Sequence, residues 1–308
     1  MKPKLSLYET DIKNPWRTLG MTELLNYLVN SGEFDVSYHQ EKFSACRGER
    51  GAVIYYNDKK IYLDMWDYEA PTHTDEVFKG NFDLIIKLQK KYIEDSKIEE
   101  ECIKRARYLN FTKEERFDFF KKIVPWTFFP SRMMKKFIGN EDMIEANLLR
   151  KISIPIERLA FFCGKDWRCR RFIKQRLISE NIPYLMSDQE TNTLPLKEDE
   201  YLNWMMTSKY GLVIHGRGGW MAEGKNRREI DYMMLKKPLL LNYKPHYYNP
   251  LIEGKHYIYV DPNTSFKNIE TMYNIEEIAR NGYQWYKDNA SPEGVVKTFL
   301  QIMNDRKF

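Results

Sequence analysis

RLAFFCGKDWRCRRFIKQRLISEN, running from Arg158 to Asn181, is the stretch on which the fold class turns. Arg158 to Gly164 is a continuous apolar run closed by glycine, the pattern of a strand covered on both faces of a sheet. Trp167 to Asn181 then takes helical spacing, with Cys169, Phe172, Ile173, Arg176 and Leu177 on or beside one face. The alternation continues downstream. IPYLMSD reads as a strand, Glu200 to Lys209 as a helix, and YGLVIHGRGG as a strand running into a glycine turn. NRREIDYMMLKKP reads as a helix stopped by Pro238, followed by PLLLNY and HYIYVD as strands and NIEEIARNGYQWYKDN as a helix. Strands alternating with helices predict a doubly wound parallel sheet. The last segment, SPEGVVKTFLQIMND, opens with Ser291 at the N-cap and Pro292 at the first helical position.

Upstream of Arg158 the pattern is less regular. GAVIYYNDKKIYLDMWDY, from Gly51, holds two β-rich runs joined by Asn57-Asp58, a hairpin or strand pair. FDLIIKLQ, from Phe82 to Gln89, is another strand candidate. Tyr92 to Lys122 is charged and helical with a break near Asn110–Thr112, where Thr112 and Glu115 form a capping box for the second helix. VPWTFFPSR is aromatic and proline-punctuated, a loop or edge element. Ile154-Pro155-Ile156 reads as a connection between domains.

With 308 residues the chain can build one large domain or two. Apolar residues at 43 % and charged residues at 30 % set an ordinary globular balance, and a core of this size needs no covalent staple. No apolar run is long enough to cross a membrane. The opening MKPKLSLYETD has no apolar core followed by a cleavage site, so a cytoplasmic protein is expected. The four cysteines lack zinc-type spacing, and no H-x₃-H or H-E-x-x-H pattern occurs among the five histidines, so no metal site is expected. A net charge of +5 favours an anionic ligand without demanding nucleic acid.

Gly216, Gly218 and Gly219 lie just past the apolar strand Gly211–Ile214. Ligands of open α/β sheets bind at the carboxyl ends of strands, and glycine lets backbone approach them closely. His215, Arg217, Lys225, Arg227 and Arg228 crowd positive charge around this turn. A tight turn with solvated basic residues accounts for the same pattern. Two phosphate motifs nearly fit. Gly216-Arg217-Gly218 lacks the third glycine of the dinucleotide fingerprint, and Gly219 to Lys225 matches G-x₄-G-K but ends in Asn226 where Ser or Thr would hold Mg²⁺.

Lys225 to Leu241 (KNRREIDYMMLKKPLLL) resembles the donor-site helix of GT-B glycosyltransferases, including exostosin-like ones. The resemblance implies that Asn226, Arg228 and Asp231 take the polar, phosphate-binding and ribose-binding positions, with Asp231 seven positions ahead of Pro238. Arg228 and Asp231 are three apart and so share a helical face. Asp stands where Glu is usual, Lys236 stands where Gly is common, and Glu229 rivals Asp231. The likeness extends to Asn249–Ile258, whose Leu251-Ile-Glu-Gly-Lys-His-Tyr257 phrase precedes a strand, and to FFCGK with its Arg-rich helix.

The implied fold is GT-B: two Rossmann-like doubly wound domains facing across a cleft. Residues 1–152 form the acceptor domain, 153–285 the nucleotide-sugar domain, and 286–308 a C-terminal helix packing back on the first. The implied donor site comprises Gly164, Lys165, Arg170, His215, Gly216, Arg217, Gly218, Gly219, Asn226, Arg228 and Asp231. Its substrates are a UDP- or GDP-sugar and a glycan acceptor, with no metal and no cofactor.

In the first half, Asp64 and Asp67 close a strand and offer a general base for the acceptor hydroxyl, Asp67 ahead of Asp64. Turn-forming or capping acids explain them equally well. Lys87 ends the next strand candidate. Trp66, Trp126 and Phe128, with Phe129, offer flat faces for an acceptor sugar, although core packing is the commoner fate of such rings. Two other classes compete: a nucleic-acid-binding or -modifying protein using its basic and aromatic surface, and a P-loop-like nucleotide hydrolase.

Overall fold

Asn57, at φ 53°, turns the chain between β3 (Gly51–Tyr56) and β4 (Lys59–Asp64), which pair antiparallel as the Asn-Asp hairpin predicts. In this computed structural model the described residues are 2–8, 24–39, 51–64, 81–87, 112–127, 158–163, 168–187, 198–214, 223–224 and 227–308, with single positions between 130 and 143. They fall into two α/β units. Unit 1 comprises Met1–Thr127, His246–Asn249 and Val295–Phe308; unit 2 comprises Phe128–Pro245 and Pro250–Gly294.

The sheet of unit 1 contains β1 (Lys4–Tyr8), β2 (Asp35–His39), β3, β4, β5 (Leu84–Lys87) and β6 (Ile123–Pro125), in the order β2-β1-β3-β4-β5-β6. The hairpin makes it a mixed sheet. β1 and β2 are parallel, β3 is antiparallel to both β1 and β4, and β4, β5 and β6 run parallel. A helix over residues 24–30 (α1) buries Leu24 and Leu28, four apart and so on one face. Helix α2 (Lys113–Lys121) starts with the predicted capping box: Thr112 N–H donates to Glu115 Oε2 at 2.7 Å, and Glu115 N–H to Thr112 Oγ1 at 3.2 Å. β6, from the proline-punctuated stretch, is an edge strand.

Unit 2 holds the regular alternation. Its elements are β7 (Arg158–Cys163), α3 (Arg168–Ser179), β8 (Tyr184–Ser187), α4 (Glu198–Thr207), β9 (Ser208–Val213), the short β10 (Glu223–Gly224), α5 (Arg227–Met234), β11 (Leu239–Leu241), the short β12 (Lys244–Pro245), β13 (Ile258–Tyr259), α6 (Ile269–Met272) and α7 (Ile275–Asn289). Five strands form one parallel sheet in the order β13-β11-β9-β7-β8. The second strand of the unit therefore lies on one side of the first and the third on the other, a reversal between β7 and β9.

Alternate residues of β9 face opposite ways. Tyr210, Leu212 and Ile214 enter a core with Ile173 and Leu177 of α3, Leu240, Ile258, Val260 and Ile278. Gly211 faces Tyr232 of α5, so closely that a Cβ there would fall 2.3 Å from the ring's Cγ. Only glycine admits that ring. Helices thus cover both faces, the doubly wound arrangement expected. Within α3, Ile173 and Leu177 are buried, and Phe172, beside their face, is 42 % exposed.

Helix α5 ends at Met234, ahead of Pro238. Lys236 takes the left-handed conformation at φ 54°, with its N–H on the Met233 carbonyl and the Lys237 N–H on the Tyr232 carbonyl. Those two bonds are a Schellman stop, which normally uses glycine at this position.

The last helix, α8 (Pro292–Asp305), is capped by Ser291, whose Oγ accepts from the Gly294 N–H at 3.0 Å. From Val295 it belongs to unit 1. Phe299, fully buried, packs its ring 6.0 Å from Phe34, 5.9 Å from Tyr56 and 5.7 Å from Trp126. Tyr248 donates to Asp305 at 2.6 Å and Asn249 to Gln301 at 3.0 Å, so His246–Asn249 lies with the same helix. The chain accordingly passes to unit 2 at Phe128, earlier than the boundary expected at 152, touches unit 1 again at His246–Asn249 and finishes there. No helix among the described residues is long and apolar enough to cross a membrane.

Candidate functional site

In open α/β sheets the crevice for a ligand lies outside the carboxyl ends of the strands, where strand order reverses. In unit 2 that point lies between β7 and β9. Gly164 and Lys165 follow β7 in the chain, and His215 to Gly219 follow Ile214 at the end of β9. Both stretches were singled out in the sequence for a donor nucleotide. They lie outside the described residues, as does Asn226, but the strands from which they leave are neighbours in the sheet.

Arg170 spans this reversal. It stands in the first turn of α3, and its guanidinium donates from Nε (3.4 Å) and Nη2 (3.3 Å) to the carbonyl of Ile214. It thus reaches from the helix after β7 to the last residue before the glycine turn.

Helix α5 begins on the same edge of the sheet. β10, just ahead of it, pairs in parallel with β12, just beyond β11, joining Glu223 to Lys244 and Gly224 to Pro245. Arg228 is half-buried in the first turn, while Glu229 and Asp231 are 0 % and 1 % exposed. Asp231, which the resemblance gives to ribose, is therefore an interior carboxylate here. Glu229 accepts a short hydrogen bond from the hydroxyl of Tyr243, itself fully buried. Tyr257 is buried nearby; burial, Glu253 and Glu229, in that order, raise its phenol to about 12. The sequence offers Glu229 only as a rival to Asp231. What separates them is a tyrosine fourteen residues on, which no local pattern reveals.

The Leu251–Tyr257 phrase is a tight loop. Gly254, at φ 74°, donates its N–H to the Tyr257 carbonyl at 2.8 Å, and the Ile252 N–H donates to Nδ1 of His256 at 2.9 Å. Because Nδ1 accepts, the ring proton belongs on Nε2. Burial and then the neighbouring Lys255 lower its pKa to about 4, so it is neutral at physiological pH. Lys237, after the α5 stop, donates to the Met206 carbonyl at the end of α4 at 2.9 Å, and burial lowers its ammonium to about 8.

In unit 1, Asp64 and Lys87 are register partners at the carboxyl ends of β4 and β5. Their side chains form an ion pair at 2.9 Å, both wholly buried. The Asp64 carboxylate is therefore engaged inside the unit rather than presented to an acceptor. Asp67, Trp66, Phe128 and Phe129 lie outside the described residues. Trp126 is fully buried against Phe299, a core position instead of the open stacking face expected for an acceptor sugar. Among the described residues no cluster of three or more His, Cys, Asp or Glu is suited to a metal ion.

No protein-family model matches the chain, and no curated protein does. Matching solved structures include glycosyltransferases. An alpha1,3-fucosyltransferase with GDP-fucose is 12 % identical, with a TM-score of 0.46, over 98 % of this chain and 91 % of its own. A glycosyltransferase from Rickettsia africae is 12 % identical, with a TM-score of 0.45, over 97 % and 83 %. The N-terminal domain of trehalose-6-phosphate phosphatase from Candida albicans is 13 % identical, with a TM-score of 0.45, over 77 % of this chain and 61 % of that one. This chain thus spans less than two thirds of the phosphatase domain's length.

Proposed function

We propose that this chain is a glycosyltransferase that moves a hexosyl or pentosyl group from a UDP- or GDP-sugar to a hydroxyl of a glycan acceptor, without a metal ion. The observation that carries this reading is the reversal of strand order between β7 and β9, spanned by Arg170. Both glycine-bearing stretches picked out for a nucleotide leave the sheet on either side of that point. The first turn of α5, with Arg228, begins on the same edge through the β10–β12 pairing.

In this reading Arg170, Lys165 and Arg228 meet the diphosphate, and the backbone of Gly164 and Gly216–Gly219 allows its close approach. The acceptor oxygen bonds to the anomeric carbon as the bond from that carbon to the diphosphate oxygen breaks. The nucleoside diphosphate departs, and the acceptor proton passes to a carboxylate. Asp67 suits that role better than Asp64, whose charge is held by Lys87.

Thermal-shift measurements with UDP, GDP and ADP, with and without Mg²⁺, test the reading. A diphosphate-dependent rise in melting temperature that needs no metal is expected. Stabilisation by ATP alone, and only with Mg²⁺, would overturn it. Arg228→Ala should weaken nucleoside diphosphate binding in calorimetry by roughly ten- to a hundredfold, the value of a charge-assisted hydrogen bond, with melting temperature unchanged.

A further inference from the structure

The start of α5 is braced twice by the chain beyond β11. The first brace is backbone: Glu223 and Gly224 pair with Lys244 and Pro245. The second is a side-chain bond one residue earlier, from the Tyr243 hydroxyl to Oε1 of Glu229 in the first turn of the helix. Both side chains are wholly buried. A carboxylate inside a protein is costly unless hydrogen bonds hold it, so Glu229 has a strongly preferred position.

We propose that Tyr243 and Glu229 form a positioning pair that fixes the rotation of the first turn of α5 and so the direction of Arg228. This rests on the reading of Arg228 as a diphosphate ligand. Adjacent helical residues project about 100° apart, so anchoring Glu229 on the interior side sets where its neighbour points. The helix has eight residues, and its body is held by the buried Ile230 to Met234 with Tyr232 against Gly211, so the pair acts on the first turn, ahead of that packed body. Neither Tyr243 nor Glu229 needs to touch the substrate. The pair makes a flexible arginine into a preset phosphate ligand, reducing the ordering cost of binding.

Tyr243→Phe deletes only the hydroxyl. Nucleoside diphosphate affinity should fall about tenfold, and the KM for the donor should rise in proportion with kcat nearly unchanged, since an interaction common to ground and transition states is lost. Glu229→Gln keeps an oxygen to accept from Tyr243 and should retain near-normal affinity, whereas Glu229→Ala should behave like Tyr243→Phe. Amide hydrogen exchange over residues 227–230 should quicken in Tyr243→Phe, independently of any ligand. A Tyr243→Phe protein with lowered melting temperature but unchanged donor affinity and unchanged exchange there would overturn the pair as a positioning device. If Arg228→Ala loses binding while Tyr243→Phe does not, the pair fails and the donor site stands. If the unmodified protein binds neither UDP nor GDP, the site reading fails and the pair's role falls with it.

Discussion

The two units bury polar groups differently. Unit 1 places a full positive and a full negative charge side by side, Lys87 and Asp64, on adjacent parallel strands. In unit 2, Glu229 meets a tyrosine hydroxyl, His256 a backbone N–H and Lys237 a backbone carbonyl. Coulomb attraction is strong in a low-dielectric interior, but each charge has lost its hydration, so an ion pair is secure only while both members remain. Neutral partners attract less and leave less stranded when one is removed. The pair in unit 1 therefore behaves as a fixed fastening, while the contacts around the start of α5 tune position.

Lys87→Met should break this contrast most sharply. It removes the cation beside Asp64 in the interior, and chemical denaturation should show unit 1 losing roughly 3–5 kcal/mol. Asp64→Leu combined with Lys87→Met should recover most of that loss, because an apolar pair of similar volume often substitutes for a buried salt bridge. A single variant as stable as the parent would mean that the pair contributes nothing.

A smaller effect belongs to His256. Its folded pKa, about 4, lies below the ordinary value of 6.5, so between those pH values the unfolded chain binds a proton that the folded chain refuses. Its contribution is therefore present above about pH 6.5 and is lost as pH falls towards 4. His256→Asn offers Oδ1 as the acceptor for the Ile252 N–H and does not titrate. Melting temperature followed from pH 7 to 4 should fall less steeply in this variant. Identical slopes would show that the ring is freely protonated.

The smallest change is a gain. Lys236 pays the left-handed conformation with a Cβ, and Lys236→Gly should stabilise unit 2 by about 1 kcal/mol at the end of α5. Equal or lower stability in urea would mean that the lysine side chain offsets its backbone cost.

What the sequence discloses of this architecture is local. Asn57-Asp58 announces a hairpin, Thr112 with Glu115 a helix start, and Ser291-Pro292 another, because each depends on neighbours within a few residues. The apolar run before Gly164 announces a central strand for the same reason. Strand order is not local: nothing near β8 says that it lies on the far side of β7 from β9. Nor does a lysine signal a left-handed stop, so the end of α5 is misread as Pro238 when it comes at Met234. Gly211 looks like an ordinary strand residue until Tyr232 is packed on it. In the site, the charge of Arg170 and Arg228 is legible. The burial of Asp64, Asp231 and Trp126, which decides what those side chains are free to meet, depends on partners 23 to 173 residues away or on whole layers of packing.

The return of α8 to unit 1 has a consequence for the newborn chain. Phe299 fills the space among Phe34, Tyr56 and Trp126, so the core of unit 1 lacks its centre until α8 has been made. Every residue of unit 2 precedes Val295, so the segment that completes unit 1 is synthesised after all of unit 2. Domains usually mature from the N-terminus as synthesis proceeds. Here Tyr56 of β3 waits for its partner Phe299 until the whole of unit 2 has been made.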